Sequence, residues 1–258
     1  DSLLLDQTEK IQKFIRIINR ELDRRKKLLS EHGVGTIALY REVTGKQEPT
    51  MVILMDSYES MKDEPYETDL FKLFMRISRE GLSSIGVHLI ITASRQNNLR
   101  AQLYSNFKHQ LTLPQNDISE VRGIVGATPL ASTMEDIKGR ALMKRDEVDV
   151  IQFALPVAGD NDIQIINNLR DQVQNLKEMW TGQTPAGIPM VPDELTEVAF
   201  YGREDVAALL DEGKVPLGLD LETVEPVTWD LKKGNLLYLT DKEEQMTQFV
   251  KQIARSKQ

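Results

Sequence analysis

The residues best placed to do chemistry are a carboxylate and a short polar run, each closing an apolar strand. Asp56 ends the strand Met51-Val52-Ile53-Leu54-Met55-Asp56, and Ser94 and Arg95 end the strand Val87-His88-Leu89-Ile90-Ile91-Thr92-Ala93-Ser94-Arg95. Consecutive apolar residues without alternation predict strands covered on both faces, as in a parallel sheet. A carboxylate at the C-terminal end of such a strand stands where ligands bind in open α/β sheets. There it would hold the water shell of a divalent cation. The second strand would set a polar group beside a phosphate, and Arg95 and Arg100 suit either phosphate oxygens or ion pairs at an interface.

The machinery expected around these groups is altered. No G-x-x-x-x-G-K-[ST] loop occurs in the sequence, so the backbone cradle that grips a phosphate is missing from it. Ser57 follows Asp56, and its hydroxyl titrates too far above neutrality to act as a general base. Glu59 lies two residues further on. If the segment stays extended, Glu59 shares a side with Ser57 and is the candidate to replace it. His88 lies on a strand expected to be packed and is read as structural. The chain has 3 histidines, and no pair of them has metal-ligand spacing.

The elements that must carry these groups follow from apolar periodicity. Ile11, Phe14, Ile15, Ile18, Leu22 and Leu29 predict a helix over 10–29, with Glu21–Arg25 and Asp23–Lys27 in the favourable i,i+4 order. Its basic run, Arg24 to Lys27, reads as a solvated face. A helix is expected over 68–82, then strands at 110–113, 140–144 and 148–155, with a short helix over 118–125 among them. A long helix is expected over 162–180. Residues 181–192 hold Gly182, Pro185, Gly187, Pro189 and Pro192, and predict an extended linker. Beyond it come expected strands at 215–220, 226–231 and 236–240, then a helix over 243–255. Helices alternating with unbroken apolar strands define an α/β chain. Leu209, Leu210, Val215 and Trp229 are read as core residues rather than a groove.

With 258 residues the chain can bury a real core, and 40% hydrophobic with 28% charged residues is the balance of a globular protein. No stretch approaches the roughly 18 apolar residues of a membrane span. The absence of cysteine excludes disulfides and thiolate metal sites. A net charge of −8 disfavours nucleic acid as the main partner, since phosphate neutralisation needs a basic face.

Taken in order, Asp56, the run from Gly86 to Arg95, Asn106-Phe107 and Gly139-Arg140-Ala141-Leu142 resemble the FtsK/SpoIIIE class of RecA-like ATPases over residues 10–155. Ile188-Pro189-Met190-Val191-Pro192, followed by Val215-Pro216-Leu217-Gly218-Leu219-Asp220, looks like the junction between tandem modules in the membrane ATPases of type VII secretion. The resemblance implies a RecA-like P-loop NTPase fold, a mostly parallel sheet flanked by helices, followed by the start of a second such module. Residues 1–180 would be the C-terminal portion of one module, 181–196 a linker, and 197–258 the N-terminal portion of a following degenerate module. The P-loop of the first module would lie upstream of Asp1.

By the same resemblance the cofactors are ATP and Mg²⁺, with Asp56 reaching the metal through water. Ser57 stands in the place of the catalytic glutamate, and Ser94 and Arg95 stand where the γ-phosphate is sensed. Arg79 is the candidate arginine offered in trans to a neighbouring module. In the second module the strand over 236–240 would run into Asp241-Lys242-Glu243-Glu244 instead of a glycine-rich cradle. Carboxylates at a helix N-terminus take the place of an anion there, so this module is not expected to bind ATP in the usual way. The implied role is a cytoplasmic motor segment of protein export, with substrate recognition or regulation assigned to the degenerate modules. The implied partners are neighbouring modules, WXG-type secreted proteins and further copies in a hexamer. The implied location is the cytoplasmic face of the cell membrane, with membrane helices and forkhead-associated domains elsewhere in the parent protein. The alternative is a DNA translocase fragment of the FtsK/SpoIIIE type.

Overall fold

The computed structural model describes residues 2–182, 184–230 and 232–255. The chain divides into two compact units, residues 2–185 and 186–258.

The first unit is built on helix α1 (Thr8–Glu31), whose Ile11, Ile15, Ile18, Leu22 and Leu29 form one buried stripe. Helix α2 (Ile37–Thr44) starts where Thr36 Oγ1 accepts from the Leu39 amide, and it ends at Gly45 with φ of 69°. Strand β1 (Met51–Met55) leads through a 3-10 turn (Tyr58–Met61) to helix α3 (Glu67–Arg76). The helix expected over 68–82 is longer than its pattern showed, because α3 widens into a π-helix over Ile77–Ile85. Strand β2 (Val87–Ile91) then returns parallel to β1, with Met51 opposite Val87 and Met55 opposite Ile91. A 3-10 turn (Gln96–Asn98) and the short helix α4 (Ala101–Tyr104) follow.

Ile53, Val87 and Leu89 pack under the α1 stripe together with Leu70, Leu73 and Phe74 of α3. The opposite face of the pair is open, with Val52 53%, Leu54 73% and Ile90 53% exposed. The expectation of cover on both faces therefore holds for one face among the described residues.

Arg25 anchors α1 to the start of both strands. Its side chain is 1% exposed. It donates to Glu21 Oε1 (2.6 Å) and to the carbonyls of Ile85 (2.8 Å), Gly86 (3.3 Å) and Pro49 (2.9 Å). A planar fork of donors suits this job, because it reaches several acceptors in fixed directions.

The rest of the unit is antiparallel. Strands β3 (Gln110–Thr112), β4 (Arg140–Lys144) and β5 (Val148–Gln152) form one sheet in that order. Helices α5 (Ile118–Val125) and α6 (Pro129–Ser132) cover it through Val121, Val125 and Ala131, which meet Leu142. Parallel pairing among the described strands is confined to β1–β2. Helix α7 (Asp162–Met179) is capped by Asn161 Oδ1, which accepts from the Gln164 amide, and none of its residues is buried.

The second unit comprises α8 (Glu197–Tyr201), α9 (Glu204–Asp211), the antiparallel pair β6 (Val215–Leu219) and β7 (Pro226–Trp229), and α10 (Glu243–Arg255). Phe200, Val206, Val215 and Pro216 are its buried residues among those described, while Leu209, Leu210 and Trp229 are half-buried. Leu231, expected at the end of a strand, lies outside the described residues. The strand expected over 236–240 does not form. That segment pairs with no strand among the described residues, so its apolar run has no ladder to complete. Leu237 and Leu239 are 79% and 80% exposed, and Tyr238 stacks on Phe249 with ring centroids 4.1 Å apart.

Candidate functional site at the strand ends

The C-terminal ends of β1 and β2 meet in one hydrogen-bonded knot. Thr92 ties them together: its amide donates to the Met55 carbonyl and its carbonyl accepts from the Tyr58 amide, each at 2.9 Å. Its hydroxyl donates to Asp56 Oδ1 (2.5 Å) and accepts from the Ser57 amide (2.8 Å). Asp56 is exposed at the strand end, and its Oδ2 makes no hydrogen bond among the described residues. One carboxylate oxygen is thus held by Thr92, and the other is left available to a cation or to water. Among the described residues no group of three or more His, Asp or Glu side chains is placed to hold a metal directly.

Ser57 leaves β1 in the left-handed region, with φ of 52° and ψ of 65°. A non-glycine residue adopts this conformation rarely, at a cost of about 1–3 kcal/mol. Here it turns the chain into the 3-10 turn at Tyr58–Met61, so the segment is not extended and Glu59 does not continue the strand. Instead Glu59 Oε1 accepts from the Ser94 amide at 3.1 Å, and Asn98 Nδ2 donates to Ser94 Oγ at 2.9 Å. Burial pushes the Glu59 carboxyl up, and Asp56 adds to this. Hydrogen bonds from Ser94 and from the Glu59 amide outweigh both and hold it below its ordinary value. A carboxylate held low is a poor base, so the geometry does not favour Glu59 in that role.

Asp56, Ser57, Glu59 and Ser94 are therefore brought together. Arg95 is 63% exposed and points to Glu120, with Nε 3.5 Å from Oε1. Arg100 pairs with Glu67 and lies over the Phe71 ring, 4.3 Å from its centroid. Arg79 is exposed on the π-helix that leads into the N-terminal end of β2, while Asp56 lies at the C-terminal end of β1. Thr92 and Asn98 were not singled out from the sequence. A threonine at the first polar position after an apolar strand was the available signal for Thr92; nothing in the sequence marked Asn98.

The chain belongs to the FtsK/SpoIIIE-type RecA-like ATPases, in the branch that serves type VII secretion. No family model matches it. It is 34% identical over 224 residues to the type VII secretion system protein EssC of Staphylococcus aureus (strain MSSA476), which covers 87% of this chain. It is 35% identical over 236 residues to the ESX secretion system protein YukB of Bacillus subtilis. The chain spans about 15% of the length of each of these curated relatives. Among solved structures, ATPases 2 and 3 of EssC from Geobacillus thermodenitrificans superpose with a TM-score of 0.86 at 30% identity, over 99% of this chain and 48% of that one. ATPases 2 and 3 of Thermomonospora curvata EccC share the fold, with a TM-score of 0.62 at 19% identity. No helix among the described residues is long and apolar enough to cross a membrane.

Proposed function

We propose that this chain is a segment of the cytoplasmic motor of a type VII protein secretion system. It would comprise the rear of one ATPase module and the front of the next, by analogy the second and third. The first module would bind nucleotide weakly and hydrolyse it slowly, serving substrate recognition or regulation of export. Its partners would be neighbouring modules, WXG-type secreted proteins and other copies in a hexamer. The second module would not bind ATP in the usual way, because Glu243 and Glu244 occupy the first turn of α10 where a phosphate cradle would end.

The observation that carries the reading is the Asp56 carboxylate, oriented by Thr92 at the C-terminal edge of the parallel pair. Asp56 would hold the water shell of Mg²⁺, and the metal would supply charge neutralisation at the phosphates. Ser57 supports slow turnover, since it carries no base. The net charge of −8 weighs against DNA as the cargo.

Calorimetry of ATP–Mg²⁺ against the intact tandem-module protein and its Asp56→Ala variant tests this. Binding that weakens in the variant supports a nucleotide site at Asp56. Equal affinity in both removes it, and salt-dependent binding of DNA by the intact protein would favour a translocase instead.

A further inference from the structure

The donor at the end of β2 is already occupied by a carboxylate of the chain itself. Ser94 is exposed just beyond the C-terminal end of β2, and its amide donates to Glu59 Oε1. Glu59 reaches this seat because the left-handed Ser57 turns the chain back into a 3-10 turn.

The hold is incomplete. Glu59 Oε2 is buried and has no hydrogen-bond partner among the described residues. A buried acceptor left unsatisfied costs free energy, more when it belongs to an ionised group. Asp56 stands close enough to add like-charge repulsion. Two effects therefore oppose the docked position, while hydrogen bonds from Ser94 and from the Glu59 amide favour it.

We infer that Glu59 is an internal competitor for the Ser94 amide. Docked, it keeps a tetrahedral oxyanion such as the terminal phosphate of a nucleotide from the end of β2. The anion takes its seat only when the carboxylate swings into solvent. This rests on reading Asp56 as part of a nucleotide site, and it gives that site a residue that lowers its affinity. When only a fraction of molecules has the seat open, apparent affinity falls by that fraction.

The test is a titration of the chain with sodium phosphate at constant ionic strength, following the Ser94 amide in ¹H–¹⁵N spectra. In Glu59→Ala the Ser94 signal is expected to shift saturably, with an apparent Kd about tenfold lower than in the unaltered chain if the docked form dominates by that ratio. Glu59→Asp keeps the charge but is too short to reach the Ser94 amide, and it should behave like Glu59→Ala. Equal apparent Kd in the unaltered chain and Glu59→Ala, or no shift of Ser94 in either, overturns the inference. So does a Glu59→Asp variant that binds as weakly as the unaltered chain, because general repulsion rather than docking would then be the cause. If these titrations fail while ATP–Mg²⁺ binding still depends on Asp56, the competitor is refuted and the nucleotide reading stands. If they succeed while ATP–Mg²⁺ binding ignores Asp56, the nucleotide reading falls and the masked anion seat remains.

Discussion

Replacing Arg25 by methionine should destabilise the first unit strongly while leaving its shape intact. Methionine fills much of the volume of the buried stem but carries no donor. The Gly86 carbonyl keeps the Met51 amide as a partner, and Glu21 keeps Arg24. The carbonyls of Ile85 and Pro49 lose the guanidinium. The buried Ile85 carbonyl left unpaired costs about 1–3 kcal/mol, and the part-buried Pro49 carbonyl costs less. Removing one side of a buried charged contact costs roughly 3–5 kcal/mol. We therefore expect a loss of about 3 kcal/mol, a large share of the roughly 5–15 kcal/mol that holds a domain folded. With a urea slope of about 2 kcal/mol/M, the unfolding midpoint falls by about 1.5 M. The amide signals of Ile53 and Leu89 should be followed, so that only the first unit is read. Arg25→Lys keeps the charge but not the fork, and should lose about half as much. A midpoint change under about 0.5 M in Arg25→Met would refute the anchoring argument, because the two carbonyls would then have found other donors.

Acidification offers a second check. Burial raises the Glu21 carboxyl, but hydrogen bonds and charge from Arg24 and Arg25 outweigh it and hold the group below its ordinary value. Because the folded value is the lower one, this contribution is present above the unfolded glutamate value and is lost as pH falls through the folded one. Glu21→Gln should cost about 1 kcal/mol at neutral pH and flatten that part of the pH–stability curve; an unchanged curve would contradict the pairing. Gly86→Ala should cost about 1 kcal/mol because φ is +68°, while its added Cβ meets Arg25 Nη1 at an ordinary 3.4 Å. Gly45→Ala, at φ of +69° with open space, should cost the same in thermal unfolding; a much larger loss at Gly86 would show hidden crowding. Leu169 of α7 is 40% exposed, so Leu169→Asp should shift stability by no more than about 0.5 kcal/mol, and a loss of several times that would mean the helix is packed.

The helices were legible because burial on one side leaves a 3.6-residue signature, as in α1, where Ile11, Ile15, Ile18 and Leu22 all turned out buried. The parallel strand pair was legible from two apolar runs ending in polar groups. The π-helical extension over Ile77–Ile85 was not, since widening a helix by one residue per turn leaves no distinct period. The segment over 236–240 misled for another reason. An apolar run states that a strand is affordable, not that a neighbour is present to pair with it. The open face carrying Val52, Leu54 and Ile90 has the same origin, because an unbroken run looks alike whether one face or both are covered. At the site, Asp56 and Ser94 were singled out from their position at strand ends, while the turn that brings Glu59 to Ser94 depends on a left-handed serine that no residue-type preference announces.

The register of the parallel pair also sets an order of assembly. Strands β4 and β5 meet across a tight reversal, with Lys144 opposite Val148. Met51 meets Val87 only after the whole intervening stretch, including α3 and its π-helical extension, has been brought round. Closing so long a loop has an entropy cost that must be met before any ladder bond forms, and such non-local pairings come late in folding. The knot of Asp56, Thr92 and Glu59 sits at the far end of that pairing. It is therefore expected to be among the last parts of the chain to assemble and among the first to exchange its amide protons, with Ser57 and Ser94 losing protection well before Met143 and Ile151 in the local hairpin.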